Sequence, residues 1–271
     1  MVFKVVRFIS LLIFAVLIII PSAIVVFGSS KTDFEVYNSP LSLPERWNLD
    51  NYKFLFETSK VGQSFINSVI VTLASVILTL LLASLCAYAI ARMITVTGKV
   101  LFALFTIGLA IPGQVNIVPI FILFNDLGLT NKLSGLVLIN VVTTLPISVF
   151  ILTAFFRELP KELFEVSSID GASPLRTYRS IALPLSRPAL GATSIFLFVI
   201  NWNELLFPLL LITDQEKRTL PLSLLSFRGE FFSSYSMIFT AVMVASLPMV
   251  VMYLFMQRSF IAGLTAGAVK G

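Results

Sequence analysis

Six long apolar stretches, separated by short polar ones, set the pattern of this chain. They cover residues 8–27, 61–91, 100–125, 133–156, 188–213 and 231–257, each at least twenty residues long. Within them the only charged side chain is Glu204. A helix rises about 1.5 Å per residue and the hydrocarbon core is about 30 Å thick, so each stretch is long enough to span it. The pattern predicts an all-α membrane protein with six transmembrane helices.

The first stretch follows Lys4 and Arg7. It is longer than a signal-peptide core and no small-residue cleavage site follows, so it reads as a retained helix. The expected organisation is then an N-terminal transmembrane helix (1–27), an extracytoplasmic segment (28–60), a five-helix core (61–257) and a C-terminal tail (258–271). A polar loop at 157–187 interrupts the core. Six spans put both termini on one side. Segments on that side hold eleven Lys/Arg and four acidic residues, against eight and nine on the other. The excess of Lys/Arg points to cytoplasmic termini, with the loop at 157–187 inside as well.

Composition narrows the function. With 57% hydrophobic and 12% charged residues, the chain lacks the polar surface of a soluble domain. It has one cysteine, Cys86, and no histidine, which excludes a disulfide framework and the commonest general base and metal ligand. No phosphate-cradling loop occurs, because Gly98-Lys99 lacks a glycine at the required distance before it. H-E-x-x-H, C-x-x-C and G-x-S-x-G are absent too. These absences weaken any enzyme reading: the chain should not hydrolyse ATP alone, and no cofactor or metal is expected. No basic patch with interleaved aromatics points to nucleic acid, and the net charge of +5 suits inner loops beside anionic membrane lipid.

The loop at 157–187 predicts two short helices. Pro160 suits the first turn of one, which carries Leu163, Phe164 and Val166 or Ser167 on an apolar side. Lys161, Glu162 and Glu165 remain available to water or a partner. Gly171 permits the left-handed backbone that ends such a helix. Ser173 and Pro174 read as cap and first residue of the second helix, with Leu175, Tyr178 and Ile181 on one stripe and Arg176 and Arg179 nearby.

Polar groups inside membrane spans are costly and face the bundle interior or water. Pro112-Gly113-Gln114, with Asn116 and Pro119, predicts a break in the third span. Asn140, Thr144 and Ser148 share one face of the fourth span, and Asn201, Glu204 and Pro208 one face of the fifth. Gln114, Asn116, Asn140, Asn201 and Glu204 are therefore candidates for lining a translocation path, with hydrogen bonding between helices as the open alternative. Ser68, Thr72, Ser75 and Thr79 on the second span read as helix packing.

Glu165, Gly171, Ile181, Leu183 and Pro184 follow the spacing E-A-A-x3-G-x9-I-x-L-P. This resembles the cytoplasmic coupling loop of permease subunits in binding-protein-dependent ABC importers, with Val166 and Ser167 where the family usually has alanine. Further stretches are similar to the carbohydrate branch, in particular the shorter permease of maltose-type importers. They are Leu49-Asp50-Asn51-Tyr52, Phe65-Ile66-Asn67-Ser68, Ala87-Tyr88-Ala89-Ile90-Ala91-Arg92, Ile111-Pro112-Gly113-Gln114, Asn201-Trp202-Asn203-Glu204, Arg218-Thr219-Leu220-Pro221 and the run from Gly263 to Gly271.

The resemblance implies a type I ABC importer permease fold with a cytoplasmic coupling helix, in the cell membrane of a bacterium or archaeon. It implies a second permease, two ABC ATPase subunits, an extracytoplasmic solute-binding protein and a carbohydrate substrate. Leu163, Phe164, Glu165, Ser167, Asp170 and Gly171 would engage the ATPase. Gly263, Leu264, Thr265 and Gly267 in the tail would reach the ATPase pair, and the segment 214–230 would project toward the binding protein. The competing expectation is an ion-coupled secondary transporter that uses Glu204 as its proton site.

Overall fold

A computed structural model describes residues 2–57, 60–93, 95–230 and 234–268. Every regular element among them is helical. In chain order they are α1 (Val2–Gly28), α2 (Asp33–Asn38), α3 (Asp50–Glu57), α4 (Val61–Arg92), α5 (Val96–Ala110), α6 (Ile117–Asp126) and α7 (Leu133–Glu158). Then follow α8 (Lys161–Ile169), α9 (Pro174–Thr177), α10 (Leu183–Leu185), α11 (Arg187–Trp202), α12 (Leu206–Leu211), α13 (Leu220–Glu230) and α14 (Tyr235–Ala268).

Four helical stretches are each long and apolar enough to cross a membrane: Phe3–Gly28, Val61–Arg92, Leu133–Glu158 and Tyr235–Phe255. Helix α11 passes the same test together with the segment Pro174–Leu185 before it, the two being bent by 76°. The third expected span is carried by α5 and α6, with a 3-10 turn at Gly113–Asn116 between them. The break falls at the Pro-Gly pair, where a missing N–H and a flexible backbone interrupt the helical ladder.

The fold divides into two compact units. The first comprises Met1–Ile66 and Arg218–Val250. Its α1 is exposed from Phe3 to Ile20 apart from Ala15, and packs only in its last turns. There a Cβ on Gly28 would collide with the Phe239 ring, so glycine is what lets α1 approach α14. Polar bonds then fasten the segment that follows α1. The Asp33 carboxylate accepts from the Ser236 N–H at 3.0 Å and the Ser234 hydroxyl at 3.2 Å. Thr240 donates to the Ser29 carbonyl at 3.0 Å, and the Tyr52 hydroxyl donates to Ser29 Oγ at 2.8 Å. Lys31, only 1% exposed, donates through Nζ to the Ser39 carbonyl at 2.7 Å. Such a cation is tolerated because backbone oxygens take over its hydration.

The second unit comprises Asn67–Lys217 and Val251–Gly271. Helix α7 runs through its centre, packed against α5, α11 and α12. Alanines at one-turn spacing, Ala83 and Ala87, let α4 lie close to α7, where Val149, Leu152 and Phe156 complete the apolar core with Tyr178, Ala182 and Ala189. The serine-threonine stripe of α4 is buried throughout, and Thr79 Oγ1 lies 3.2 Å from Thr144 Oγ1 of α7.

Candidate functional site

Helix α8 is a short amphipathic rod with a well-formed cap at its C-terminal end. It starts at Lys161, one residue after Pro160, which occupies the N-cap rather than the first turn. At its end the Gly171 N–H donates to the Ser168 carbonyl at 3.1 Å and the Ala172 N–H to the Ser167 carbonyl at 3.0 Å. Gly171 has φ +71°, so this is a Schellman cap that glycine makes without steric cost. Ser173 Oγ then accepts from the Arg176 N–H at 3.3 Å and Pro174 opens α9, as the sequence predicts.

The predicted second stripe does not form. Tyr178–Ala182 is a π turn, which shifts the register. Tyr178 and Ala182 are buried, Leu175 is 51% exposed and Ile181 lies between. The burial of Tyr178 is decided by tertiary contact: its hydroxyl meets Ser84 Oγ of α4 at 2.7 Å.

Two residues pin α8 to the core. Ser167 is buried, with its Oγ 2.7 Å from Thr177 Oγ1. Phe164 lies under the Arg92 guanidinium, whose central carbon is 3.5 Å from the ring centroid. Arg92 ends α4 and also donates through Nη2 to the Phe156 carbonyl at 2.6 Å. That carbonyl is in the last turn of α7, where no helical donor remains. One guanidinium therefore ties the ends of α4 and α7 to α8. Tyr88 stands beside it, with its ring centroid 5.9 Å from that of Phe156, 6.3 Å from that of Phe164 and 5.3 Å from that of Tyr178. Clefts of about 510 and 560 Å³ flank the Arg92–Phe164 contact.

The rest of α8 faces outward, with no packing partner among the described residues. Leu163 is 40% exposed, Val166 56% and Ile169 85%, with Glu162, Glu165 and Asp170 also exposed. Three large apolar side chains are thus exposed on one nine-residue helix. The sequence pattern put Leu163, Phe164 and Val166 or Ser167 on one side; the structure sends Phe164 and Ser167 inward and Leu163 and Val166 outward. The sequence reading gave Arg92, Tyr88 and Phe156 no part in holding α8, and placed Tyr178 only on the stripe of the second loop helix. The trace of Tyr88 and Arg92 was the stretch from Ala87 to Arg92, with a cation four residues after a tyrosine at the end of an apolar run.

Four of the five candidates for a path fall on or beside breaks in the helices, and Asn140 lies within α7. Asn116 closes the 3-10 turn and is half-buried. The Gln114 side chain lies outside the described residues. Asn140 is buried on α7. Asn201 is buried too, its Nδ2 donating to the Leu197 carbonyl at 2.9 Å. Helix α11 stops at Trp202, so Asn201, Glu204 and Pro208 do not share one helical face as the sequence suggested. Glu204 sits in the break, where Oε1 accepts from the N–H groups of Leu206 and Phe207 at 2.8 and 3.1 Å. Its carboxylate is committed to capping α12. The two breaks meet: the Phe207 ring lies 3.7 Å from where a Cβ on Gly113 would stand. Outside them, Asn131 Oδ1 accepts from the N–H groups of Thr213 and Asp214 at 2.7 and 3.0 Å and joins the loop before α7 to the end of α12. Gly263, Leu264, Thr265 and Gly267 lie on the backbone of α14, and their side chains are outside the described residues.

Residues 75–262 match the family of binding-protein-dependent transport system inner membrane components. The chain belongs to this family. It is a permease, a multi-pass transport subunit whose ATP is hydrolysed by separate subunits. It is 34% identical over 262 residues to the diacetylchitobiose uptake system permease NgcG of Streptomyces coelicolor, covering 96% of this permease and 87% of the relative. It is 36% identical to the melibiose/raffinose/stachyose import permease MelC of Bacillus subtilis, covering 87% and 86%. It is 33% identical to the trehalose/maltose permease MalG of Thermococcus litoralis, covering 99% and 97%. A solved chain of a bacterial ABC transporter that imports the acidic polysaccharide alginate superposes with a TM-score of 0.82 at 21% identity, over 96% of each chain. The permease thus has the type I ABC importer fold expected from its sequence.

Proposed function

We propose that this permease imports a carbohydrate with a second permease, two ABC ATPase subunits and an extracytoplasmic solute-binding protein. The relatives named for oligosaccharide uptake support the substrate class. The observation that carries the coupling is α8, held by Phe164 and Ser167 on one side and offering Leu163, Val166 and Ile169 on the other. In the orientation favoured by the Lys/Arg distribution, α8 and both termini face the cytoplasm. ATP binding closes the ATPase pair, α8 moves with it, and Arg92 passes the movement to the ends of α4 and α7. The path between the permeases then opens outward to the loaded binding protein, and inward after hydrolysis. The helix breaks at 111–116 and 203–205 support a path there, since irregular backbone inside a membrane is tolerated where protein or a wet cavity covers it. The run from Gly263 to Gly267 adds a second contact with the ATPase.

The ion-coupled alternative is not favoured, because the Glu204 carboxylate already serves two backbone N–H groups. The test is affinity purification of the tagged permease from native membranes in mild detergent. An ABC ATPase and a second permease should follow it. Val166→Asp and Ile169→Asp, on the outward face, should release the ATPase while the second permease stays. A permease that purifies alone, or an ATPase retained by both variants, would sink the coupling assignment.

A further inference from the structure

The larger cleft beside the Arg92–Phe164 contact has a chemistry that docking of α8 does not use. It measures about 560 Å³ and gathers cations from four elements: Arg92 from α4, Lys99 from α5, Arg157 from α7 and Lys161 from α8. Glu165 is its single carboxylate, which leaves a net of three positive charges. None of the four cations is ion-paired among the described residues. Two are held flat on rings, Arg92 on Phe164 at 3.5 Å and Arg157 on Phe102 at 4.5 Å. Stacking leaves the N–H edge of Arg157 for a planar or tetrahedral oxyanion, whereas Arg92 already gives Nη2 to the Phe156 carbonyl and adds mainly its charge.

The position of the cleft decides between occupants. It lies where α4 and α7 end and α5 and α8 begin, the level at which apolar helices leave the hydrocarbon. From Lys99, exposed Val100, Leu104 and Ile107 continue along α5 as an apolar stripe suited to an acyl chain. On α8, Lys161 and Glu165 line the cleft and Ile169 follows one turn after Glu165, whereas Leu163 and Val166 lie on another face, so the cleft and the outward apolar face adjoin along one edge of the helix. We infer that this cleft binds the phosphate headgroup of an anionic phospholipid at the membrane surface. The inference rests on the proposed orientation only for the leaflet that supplies the lipid, which is the cytoplasmic one.

Native mass spectrometry of the full chain, released from nanodiscs of phosphatidylcholine with a minor fraction of phosphatidylglycerol, tests it. Wild type should retain phosphatidylglycerol in preference to phosphatidylcholine. The variant Lys99→Gln/Arg157→Gln/Lys161→Gln should lose that preference, by about fivefold per cation, since a basic residue near an anionic surface contributes about 1 kcal/mol. Lys99→Gln alone, on the exposed first turn of α5, should move the same way if the triple variant fails to accumulate. Arg176→Gln/Arg179→Gln, which removes two exposed cations elsewhere in the loop, should retain the lipid as wild type does. Equal retention by wild type and the triple variant overturns the proposal. Displacement of the lipid by millimolar inorganic phosphate would assign the cleft to small anions and overturn its lipid source. Loss of the ATPase from the triple variant with phosphatidylglycerol still bound would make the cleft part of the docking surface instead. The readout needs no ATPase, so Val166→Asp, on the outward face of α8, should leave it unchanged; failure of the coupling assignment and failure of this one are therefore distinguishable.

Discussion

Removing the Arg92 side chain should free α8 from the helices it follows. Arg92→Ala deletes the guanidinium stacked on Phe164 at 3.5 Å and the bond to the Phe156 carbonyl at 2.6 Å. A partly buried cation–π contact contributes about 1 kcal/mol, and a charged hydrogen bond about 1.5 kcal/mol. Neither is fully desolvated and the two share one group, so about 2 kcal/mol is the reasonable sum for holding α8 in place. At about 1.4 kcal/mol per tenfold, local opening of α8 should become roughly thirtyfold more frequent. Amide hydrogen exchange of the full chain followed by mass spectrometry reads this directly. Peptides spanning 161–172 should exchange roughly thirtyfold faster, while those from the buried middle of α7 should not change. Arg92→Lys keeps the charge but not the flat face, and should fall between. Unchanged protection of 161–172 in Arg92→Ala would refute the tie. In the assembled importer the same variant should hydrolyse ATP with less solute moved per turnover, because a loosened α8 follows the ATPase without pulling α4 and α7.

Three further outcomes follow from single residues. Gly171→Ala places a Cβ in open space but at φ +71°, so the cost is backbone strain of about 1–2 kcal/mol, visible as a lower melting temperature; Gly171→Asn should cost less. Glu204→Gln keeps an oxygen for the N–H groups of Leu206 and Phe207 and should preserve stability and uptake, whereas Glu204→Ala loses the cap at about 1 kcal/mol; uptake abolished by the glutamine variant would revive a proton role. Glu35 is held below the usual glutamate range by the Thr32 N–H, then the Glu45 N–H and the Thr32 hydroxyl. Its contribution is therefore complete above the usual glutamate value and lost as pH falls through the lowered one. Acid should loosen residues 32–45 in hydrogen exchange corrected for intrinsic rate, and Glu35→Gln should flatten that pH dependence.

What the sequence determined by itself is what depends on local composition. Length and hydropathy specify membrane helices because hydrocarbon leaves a backbone no other donors and acceptors. Pro112-Gly113 specifies the break between α5 and α6, and Gly171 and Ser173-Pro174 specify the caps around α9 and α8, because each acts through its own φ or its own side chain. Only the tertiary structure decided what faces what. Phe164 and Val166 are both apolar residues on the same short helix; one goes inward because Arg92, seventy-two positions earlier, supplies a flat cation above it. Tyr178 leaves its expected stripe because a π turn and Ser84 draw its hydroxyl into the core. Glu204 reads as an isolated membrane acid until α11 is seen to stop two residues before it, where its carboxylate caps α12. A side chain's partner across the bundle lies far away in sequence, and no periodicity along the chain encodes it.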